Sequence, residues 1–248
     1  MKGVILSAGL GKRLRPLTDN LPKGLIPVLG KPILEYILLG FKYAGIKDIA
    51  IIIGYLGEKI KDYFKDGKII NLNISYIIQE IPKGTGAAVL KAKDFVGNEN
   101  FMLSWGDVIV ERENYINIKN AFEKNPCDVL MGLNYEEDLS QGGAVFLEEK
   151  NNILKVKDII EKPKEKVNTN WNQTGIFILK PIIFKYLEKI SPSERGEYEF
   201  TSAIKMMLED NLDIRPFIIK DFHWEFGTLS QIEKANNLKD FLKRFHDL

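Results

Sequence analysis

The feature that most constrains the fold is a short apolar strand that runs directly into a glycine-rich turn near the N-terminus. Apolar residues 4–6 are followed closely by Gly9 and Gly11. Because glycine has no side chain, the backbone there can approach a ligand closely. Positive charges follow within fifteen residues of Gly9, at Lys12, Arg13, Arg15 and Lys23. Bare backbone amides beside so much positive charge are typical of a polyphosphate site.

Two common phosphate-binding motifs do not match this turn. A Walker A loop requires G-x-x-x-x-G-K-[ST], but Gly11-Lys12 is followed by Arg13, which disfavours a kinase. A dinucleotide fingerprint requires a third glycine three residues after the second, and that position is Leu14. A Gly-x-Gly pair standing alone more often serves only to make a tight turn.

Composition narrows the class of protein further. Apolar residues make up 45% of the 248-residue chain, which is ample for a substantial core. Lys and Arg total 35 against 34 Asp and Glu, so no overall basic field favours nucleic acid. Cys127 is the single cysteine, and no apolar run is long enough to span a bilayer. We therefore expect a cytoplasmic protein that binds neither nucleic acid nor membrane.

Strand-like and helix-like segments alternate along the first half of the chain. Residues 49–53 are apolar throughout, as is typical of a strand buried on both faces. The alternation predicts a parallel sheet with helices on both faces, and the absence of a linker favours one domain. The predicted strands are Lys2–Ser7, Asp48–Ile53, 74–79, 101–104, 142–148, 153–160 and Trp171–Leu179. The predicted helices are 32–44, 56–64, 86–95, 181–190, 199–209 and 230–245.

Polar or glycine residues follow several of the predicted strands. They are the glycine turn after Leu6, then Gly54, Gln79 and Asp107. In parallel sheets ligands collect beyond the carboxyl ends of the strands. We therefore expect most of these residues to meet at one edge of the sheet.

The stretch from Ser7 to Thr18, together with Pro22-Lys23, resembles the signature of the sugar-1-phosphate nucleotidylyltransferases. This family includes glucose-1-phosphate thymidylyltransferases and mannose-1-phosphate guanylyltransferases. The resemblance implies a Rossmann-like three-layer α/β/α fold with a mainly parallel mixed sheet. It also implies a nucleotide-binding subregion over about 1–135, a sugar-phosphate-binding subregion over about 136–228 and a C-terminal helix over 229–248.

The resemblance assigns the nucleotide to the glycine turn and to the segment after residue 78. Gln79 and Gly84 match positions that meet the nucleobase, and a carboxamide can pair with the imide edge of uracil or thymine. Guanylyltransferases of the family often have glutamate at the first position, so Gln79 favours UTP or dTTP. The same residues also fit a polar strand end followed by a loop. The implied nucleotide-binding residues are Leu6, Ala8, Gly9, Gly11, Lys12, Arg13, Gln79, Gly84 and Thr85.

The resemblance also implies a Mg²⁺ site and a set of catalytic residues. Asp107 matches the metal-binding aspartate of the family, and Glu225 takes the place of a second aspartate with one extra methylene. Mg²⁺ prefers one or two carboxylates together with phosphate oxygens and water. The resemblance further implies that Arg15 stabilises the leaving pyrophosphate, that Lys23 contacts the α-phosphate and that Lys162 contacts the sugar phosphate.

The sugar-binding residues implied by the resemblance lie in the second half of the chain. Glu161 belongs to a Glu-Lys-Pro triplet and matches a residue that binds sugar hydroxyls, although a charged turn closed by proline explains the triplet equally. Gly143 matches a glycine whose backbone meets the sugar. Gln173 stands where the family often has asparagine, and the segment 195–201 resembles one near the sugar pocket.

The implied reaction joins a nucleoside triphosphate to a sugar 1-phosphate and releases pyrophosphate. The attacking phosphate is already ionised at neutral pH, so no general base is needed. UTP or dTTP with a hexose 1-phosphate such as glucose 1-phosphate is favoured. The alternatives are a GTP-dependent mannose-1-phosphate guanylyltransferase, a cytidylyltransferase acting on another phosphate monoester, and a non-catalytic regulatory homologue. The oligomeric state stays open, with a homo-oligomer as one option.

Overall fold

The computed structural model describes residues 1–239, 243 and 245, which form one large mixed sheet, two small sheets and flanking helices. The strands are β1 (Lys2–Ser7), β2 (Pro27–Val28), β3 (Lys31–Pro32), β4 (Asp48–Ile53), β5 (Asn73–Ile78), β6 (Phe101–Trp105), β7 (Val108–Val110), β8 (Val129–Tyr135), β9 (Gly143–Lys150), β10 (Ile153–Glu161), β11 (Trp171–Leu179), β12 (Ile214–Ile218) and β13 (His223–Glu225). The α-helices are α1 (Ile33–Tyr43), α2 (Gly57–Phe64), α3 (Thr85–Leu90), α4 (Lys93–Val96), α5 (Arg112–Lys124), α6 (Ile183–Leu187), α7 (Phe200–Glu209) and α8 (Leu229–Lys234).

The large sheet changes character from one side to the other. Its strand order is β10-β9-β11-β6-β1-β4-β5, and β8 pairs with both β11 and β12. The neighbours β5, β4, β1 and β6 all run parallel. Strand β11 runs antiparallel to β6, β8 and β9. The predicted α/β fold class with a mixed sheet is confirmed.

Both faces of the sheet are buried. Successive strand residues point to opposite faces, so a single strand contributes to two core clusters. In β1, Val4 belongs to a core cluster that also holds Val89 of α3 and Ile204 of α7. The next residue, Ile5, belongs to the other cluster, together with Phe41 of α1 and further residues of α2 and α5. Two helical layers therefore sandwich the sheet, as the apolar strands of the first half predict.

Several predicted elements match the structure and others need correction. Strands β1, β4 and β11 have the predicted bounds. The predicted helix 86–95 is two short helices, because the chain turns at Lys91 and Ala92 through i→i−3 hydrogen bonds. In the described part of the predicted terminal helix 230–245, α8 is followed by a 3₁₀ turn over Ala235–Leu238, and residues 239 and 243 are helical. Residues 240–242 and 244 of that prediction lie outside the described residues, as do residues 246–248 of the C-terminal helix expected over 229–248. The pattern did not predict β7, β8, α5, β12 and β13.

One unpredicted pairing forms a small separate sheet next to the end of β6. Strands β7 and β13 are antiparallel, with Glu225 opposite Val108. The Phe226 amide donates to the Asp107 carbonyl oxygen at 2.9 Å. This pairing holds Glu225 next to Asp107, more than a hundred residues away in sequence. No helix in the described part of the chain is long and apolar enough to cross a membrane.

Candidate active site

A cleft of about 540 Å³ opens at the carboxyl ends of β1, β5 and β6. The strand ends meet at this cleft, as expected. The Gly106 amide donates to the Leu6 carbonyl oxygen, and the Gln79 amide donates to the Ile53 carbonyl oxygen, both at 2.8 Å. The predicted residues that line this cleft are Leu6, Ala8, Gly9, Gly11, Lys12, Arg13, Lys23, Gln79, Gly84, Thr85 and Asp107. The other predicted residues lie outside its lining and are Arg15, Gly143, Glu161, Lys162, Gln173 and Glu225.

The glycine turn is held in shape by its own backbone and by one threonine. Gly11 has a φ of 62°, in the left-handed region that favours glycine, and the Thr18 hydroxyl donates to its carbonyl oxygen at 2.8 Å. Leu14 anchors the turn in the core. Gly9, by contrast, has open space where a Cβ atom would lie. The turn is therefore a fixed loop with an open backbone face in the cleft.

Gln79 is a buried amide at the end of β5 with an unused donor. Its side chain is 5% exposed, and its Nε2 atom has no hydrogen-bond partner within the described residues. A buried donor left without a partner costs about 1–3 kcal/mol, so such atoms in native proteins call for an explanation. A ligand acceptor in the cleft would satisfy this atom.

The segment around Gly84 is joined to the chain before α7 by a backbone clasp. The Tyr198 amide donates to the Lys83 carbonyl oxygen at 2.7 Å, and the Gly86 amide donates to the Tyr198 carbonyl oxygen at 2.8 Å. Gly84 has a φ of 104°, and a Cβ atom on it would lie 2.6 Å from the Tyr198 carbonyl oxygen. Only glycine fits this close approach.

Asp107 and Glu225 form the acidic part of the site. Burial raises the pKa of Glu225 and the neighbouring Asp107 carboxylate adds to the rise, whereas Lys23, Arg13 and Lys162 oppose it. Two carboxylates that repel each other beside cations suit a divalent ion, which would relieve the repulsion. The described residues hold no group of three or more His, Cys, Asp or Glu able to bind a metal. Two protein carboxylates with phosphate oxygens and water therefore fit Mg²⁺ better than a closed all-protein cage.

The predicted phosphate-binding cations take different positions. Lys23 Nζ contacts Asp107 Oδ2. The Arg13 Nη2 atom lies 3.8 Å from Glu225 Oε1. Arg15 is 60% exposed and pairs with Asp19, with 3.3 Å between Nε and Oδ1. The side chain of Arg15 therefore lies outside the cleft in this conformation.

Glu161 and Lys162 lie at the end of β10, next to the segment before α7. Burial raises the pKa of Glu161 and the Glu199 carboxylate adds to the rise, whereas Lys162 and Arg195 oppose it. An Arg195 nitrogen lies 3.6 Å from Glu161 Oε1 and 2.7 Å from Glu199 Oε1. Lys162 is a non-glycine residue with a φ of 44°, and its amide donates to the Gly142 carbonyl oxygen at 2.8 Å.

A chain of side-chain amides crosses the strands around Gly143. The Gly143 amide donates to Asn172 Oδ1 at 3.2 Å, and Asn172 donates to Asn134 Oδ1 at 3.1 Å. Asn134 Nδ2 lies 3.3 Å from His223 Nδ1. Gln173 instead accepts from the Gly175 amide at 3.2 Å, within the bulge of β11. The amide chain connects the backbone of Gly143 to β13, which carries Glu225.

His223 is a neutral side chain at neutral pH. Burial lowers its pKa to about 4, against the opposing effects of the Thr174 backbone and of Asp107. A neutral imidazole cannot balance phosphate charge, and its Nδ1 faces Asn134 rather than the cleft. His246, the second histidine of the sequence, lies outside the described residues.

The sequence patterns missed several residues at the site. Glu197 lines the cleft together with Trp105 and Gly106. Asn134 belongs to β8, a strand that was not predicted although its first residues, 129–133, contain an apolar run that is a strand signal. The ion pair between Arg195 and Glu161 joins residues far apart in sequence, and no local pattern predicts it.

Taken together, these observations describe an α/β protein with a glycine-rich cleft at its strand ends and two neighbouring carboxylates beside it. The chain belongs to the nucleotidyl transferase family, whose model matches residues 2–240. Enzymes of this family generally use a divalent metal ion. The resemblance found in the sequence is thereby confirmed.

Relatives and solved structures agree with this membership. The chain is 37% identical over 96% of its length to the low-salt glycan biosynthesis nucleotidyltransferase Agl11 of Haloferax volcanii, of which it covers 66%. It is 32% identical to a protein of Methanocaldococcus jannaschii named putative UTP–glucose-1-phosphate uridylyltransferase, with 98% of each chain covered. The crystal structure of a UDP-glucose pyrophosphorylase with UDP-glucose superposes with a TM-score of 0.88 at 25% identity, covering 96% of this chain and 98% of that one. Other curated relatives are matched over about half of their length.

Proposed function

We propose that this chain transfers a nucleotidyl group from a nucleoside triphosphate to a sugar 1-phosphate and releases pyrophosphate. We further propose UTP or dTTP as the nucleotide and a hexose 1-phosphate such as glucose 1-phosphate as the acceptor. Relatives named for uridylyl transfer to glucose 1-phosphate support this pair of substrates.

The observation that carries the proposal is the set of groups that line the cleft beyond the strand ends. The open glycine turn, the Lys23–Asp107 pair and the buried, unpartnered amide of Gln79 all belong to it. A triphosphate would bind at the glycine turn and Lys23, a metal at Asp107, and a nucleobase edge at Gln79. A site for a neutral ligand would need neither the cations nor the paired carboxylates.

The electrostatic task of this reaction fits the residues present. Two like unit charges 4 Å apart repel by about 4 kcal/mol at an effective dielectric constant near 20, so one phosphate reaches another only between cations. In our proposal Lys23 contacts the α-phosphate, Lys162 the sugar phosphate, and Arg15 and Arg13 the leaving pyrophosphate. Mg²⁺ held by Asp107 and Glu225 would supply further charge neutralisation when bound.

The sugar 1-phosphate is proposed to lie beside the end of β10. Glu161 would accept hydrogen bonds from sugar hydroxyls, and the Gly143 backbone and Gln173 would line the same pocket. Lys162 is close enough to Glu225 to lower its pKa, which supports placing the sugar phosphate next to the metal carboxylates. Arg195 neutralises Glu161 and Glu199 on the other side.

The test is a substrate panel read as pyrophosphate release. The five common nucleoside triphosphates are combined with glucose, mannose, galactose and N-acetylglucosamine 1-phosphates, and with phosphocholine, in Mg²⁺ buffer. We expect release with UTP or dTTP and a hexose 1-phosphate. Release with GTP and mannose 1-phosphate, or with CTP and phosphocholine, would redirect the substrate assignment. No release with any pair, from a folded protein that binds nucleotide, would point to the regulatory alternative.

The base assignment has its own test in Gln79. Its amide has an NH₂ donor group and a carbonyl acceptor, which can pair with the uracil edge, whereas an ionised glutamate has only acceptors. We therefore expect Gln79→Glu to lose affinity for UTP and to gain relative affinity for GTP, whose guanine edge carries donors. Gln79→Leu is the matched control, and it should lose UTP without gaining GTP. Unchanged UTP affinity in both variants would remove Gln79 from the base site.

A further inference from the structure

Each carboxylate proposed to hold the metal is paired with a cation proposed to hold the triphosphate. Lys23 Nζ contacts Asp107 Oδ2, and an Arg13 nitrogen lies 3.8 Å from Glu225 Oε1. The two pairs differ in exposure. The Lys23 and Asp107 side chains are 16% and 27% exposed, against 56% and 42% for Arg13 and Glu225. The first pair is therefore shielded from water and salt, and the second is screened.

Either ligand arriving alone meets an unfavourable site. A divalent cation that binds Asp107 displaces the Lys23 ammonium. The ammonium then lies largely buried next to the doubly charged ion. A metal-free triphosphate that takes Lys23 leaves the Asp107 carboxylate facing a polyanion. Breaking a shielded ion pair by occupying only one partner leaves an uncompensated charge, which is strongly unfavourable. When both ligands arrive together, every charge exchanges one opposite partner for another.

We propose that the Lys23–Asp107 pair is a lock that excludes free divalent metal and admits it only together with the nucleoside triphosphate. The inference rests on the proposed function, because it takes Lys23 as a phosphate contact and Asp107 as a metal contact. It goes beyond that function by assigning Lys23 a second role in the empty enzyme. Asp107 thus becomes available to the metal only when the nucleotide binds Lys23.

The lock is tested by metal binding without any substrate. Mn²⁺ replaces Mg²⁺ because the free ion is counted directly from its electron paramagnetic resonance signal. We expect Lys23→Met to bind Mn²⁺ about tenfold or more tightly than wild type, which corresponds to about 1.4 kcal/mol. Lys23→Gln is a second variant of the same kind if the first fails to fold. Circular dichroism confirms the fold of each variant before it is titrated.

Lys12 provides the matched control for the loss of a positive charge. It lines the same cleft and forms no ion pair within 4 Å in the described part of the structure. Lys12→Met therefore removes one charge near the metal position without releasing a carboxylate. We expect its Mn²⁺ affinity to rise far less than that of Lys23→Met. In the double variant Lys23→Met with Asp107→Asn, the gain in affinity should disappear.

The outcomes separate the lock from the proposed reaction. Equal Mn²⁺ affinity in wild type, Lys23→Met and Lys23→Gln overturns the lock, even in an enzyme that releases pyrophosphate. An equal gain in Lys12→Met also overturns it, because general charge then explains the effect. If Lys23→Met binds Mn²⁺ more tightly but the wild-type protein releases pyrophosphate with no substrate pair, the proposed reaction fails and the lock stands.

Discussion

The proposed nucleotide end and the proposed sugar end of this site are built on different principles. At the nucleotide end, glycine backbone and the carboxyl ends of the parallel strands β1, β5 and β6 surround one cleft. At the sugar end, the antiparallel strands β9, β10 and β11 carry side chains held by ion pairs and an amide chain. The first is fixed by sheet topology, whereas the second depends on long-range pairing between side chains.

This difference predicts how each end responds to substitution. At the nucleotide end we expect large losses of turnover, because charged groups there act directly on the phosphates. At the sugar end we expect graded changes in substrate affinity, because several partners share the positioning of each group. Four predictions compare the two ends, from the largest expected effect to the smallest.

Asp107→Asn should have the largest effect. It removes a proposed metal contact and the partner of Lys23 without changing the shape of the side chain. We expect turnover to fall by about three orders of magnitude, and we expect a lower thermal midpoint because Lys23 loses its partner. Pyrophosphate release and circular dichroism measure the two quantities. Turnover within tenfold of wild type would contradict the metal assignment.

Arg15→Ala should follow, with turnover lowered about a hundredfold. The proposed reason is lost stabilisation of the leaving pyrophosphate, for which the exposed side chain must leave Asp19 and turn into the cleft. Asp19→Asn is the matched control, since it releases Arg15 and removes only an exposed ion pair, so turnover should stay nearly unchanged. Normal turnover in Arg15→Ala would remove this residue from the site.

Glu161 should give the sugar end a pH dependence. Burial and then Glu199 raise its pKa, so the carboxylate takes up a proton at a higher pH than an ordinary glutamate as the solution is acidified. We expect kcat/KM for the sugar phosphate to fall through that pH range, because a protonated Glu161 accepts fewer hydrogen bonds from hydroxyls. Arg195→Met should move this acid limb to higher pH. An acid limb that persists unchanged in Glu161→Gln would assign it to another group.

Asn134→Leu should have the smallest effect. It interrupts the amide chain between Gly143 and His223 and leaves Asn172 without one partner. We expect a loss of about 1 kcal/mol in unfolding free energy, together with a severalfold higher KM for the sugar phosphate. The KM for the nucleotide is the internal control and should not move. A change shared equally by both substrates would mean that the amide chain serves the whole fold.

The sequence predicted the parallel strands of the first half because their signals are local, although it missed α5 and β7. An apolar strand, a glycine turn and an amphipathic helix each lie within a short window, and β1 and β4 have the predicted bounds. The second half depended on pairings that no window contains. Strand β13 is three residues long and exists because β7 lies beside it, so no periodicity marked it.

The candidate site divides in the same way. The predicted nucleotide residues line one cleft because parallel strands present their ends together. The contacts that the patterns did not predict, such as Arg195 with Glu161 and Lys23 with Asp107, join residues that are distant in the chain. Residue types and motif positions are readable from sequence, whereas the partners of charged side chains emerge only in three dimensions.

The clasp at Tyr198 bears on how the two substrate preferences can diverge. Its two main hydrogen bonds are made by main-chain atoms of Lys83, Gly86 and Tyr198, so they survive exchange of the Lys83 and Tyr198 side chains. Gly84 and Gly86 are sterically committed, because a Cβ atom would lie 2.6 Å from the Tyr198 carbonyl oxygen on the first and 2.9 Å from it on the second. Neighbouring side chains can therefore mutate while the joint between the two binding segments persists. Proteins that share this fold could therefore change their base preference and their sugar preference separately, while these backbone hydrogen bonds stay in place.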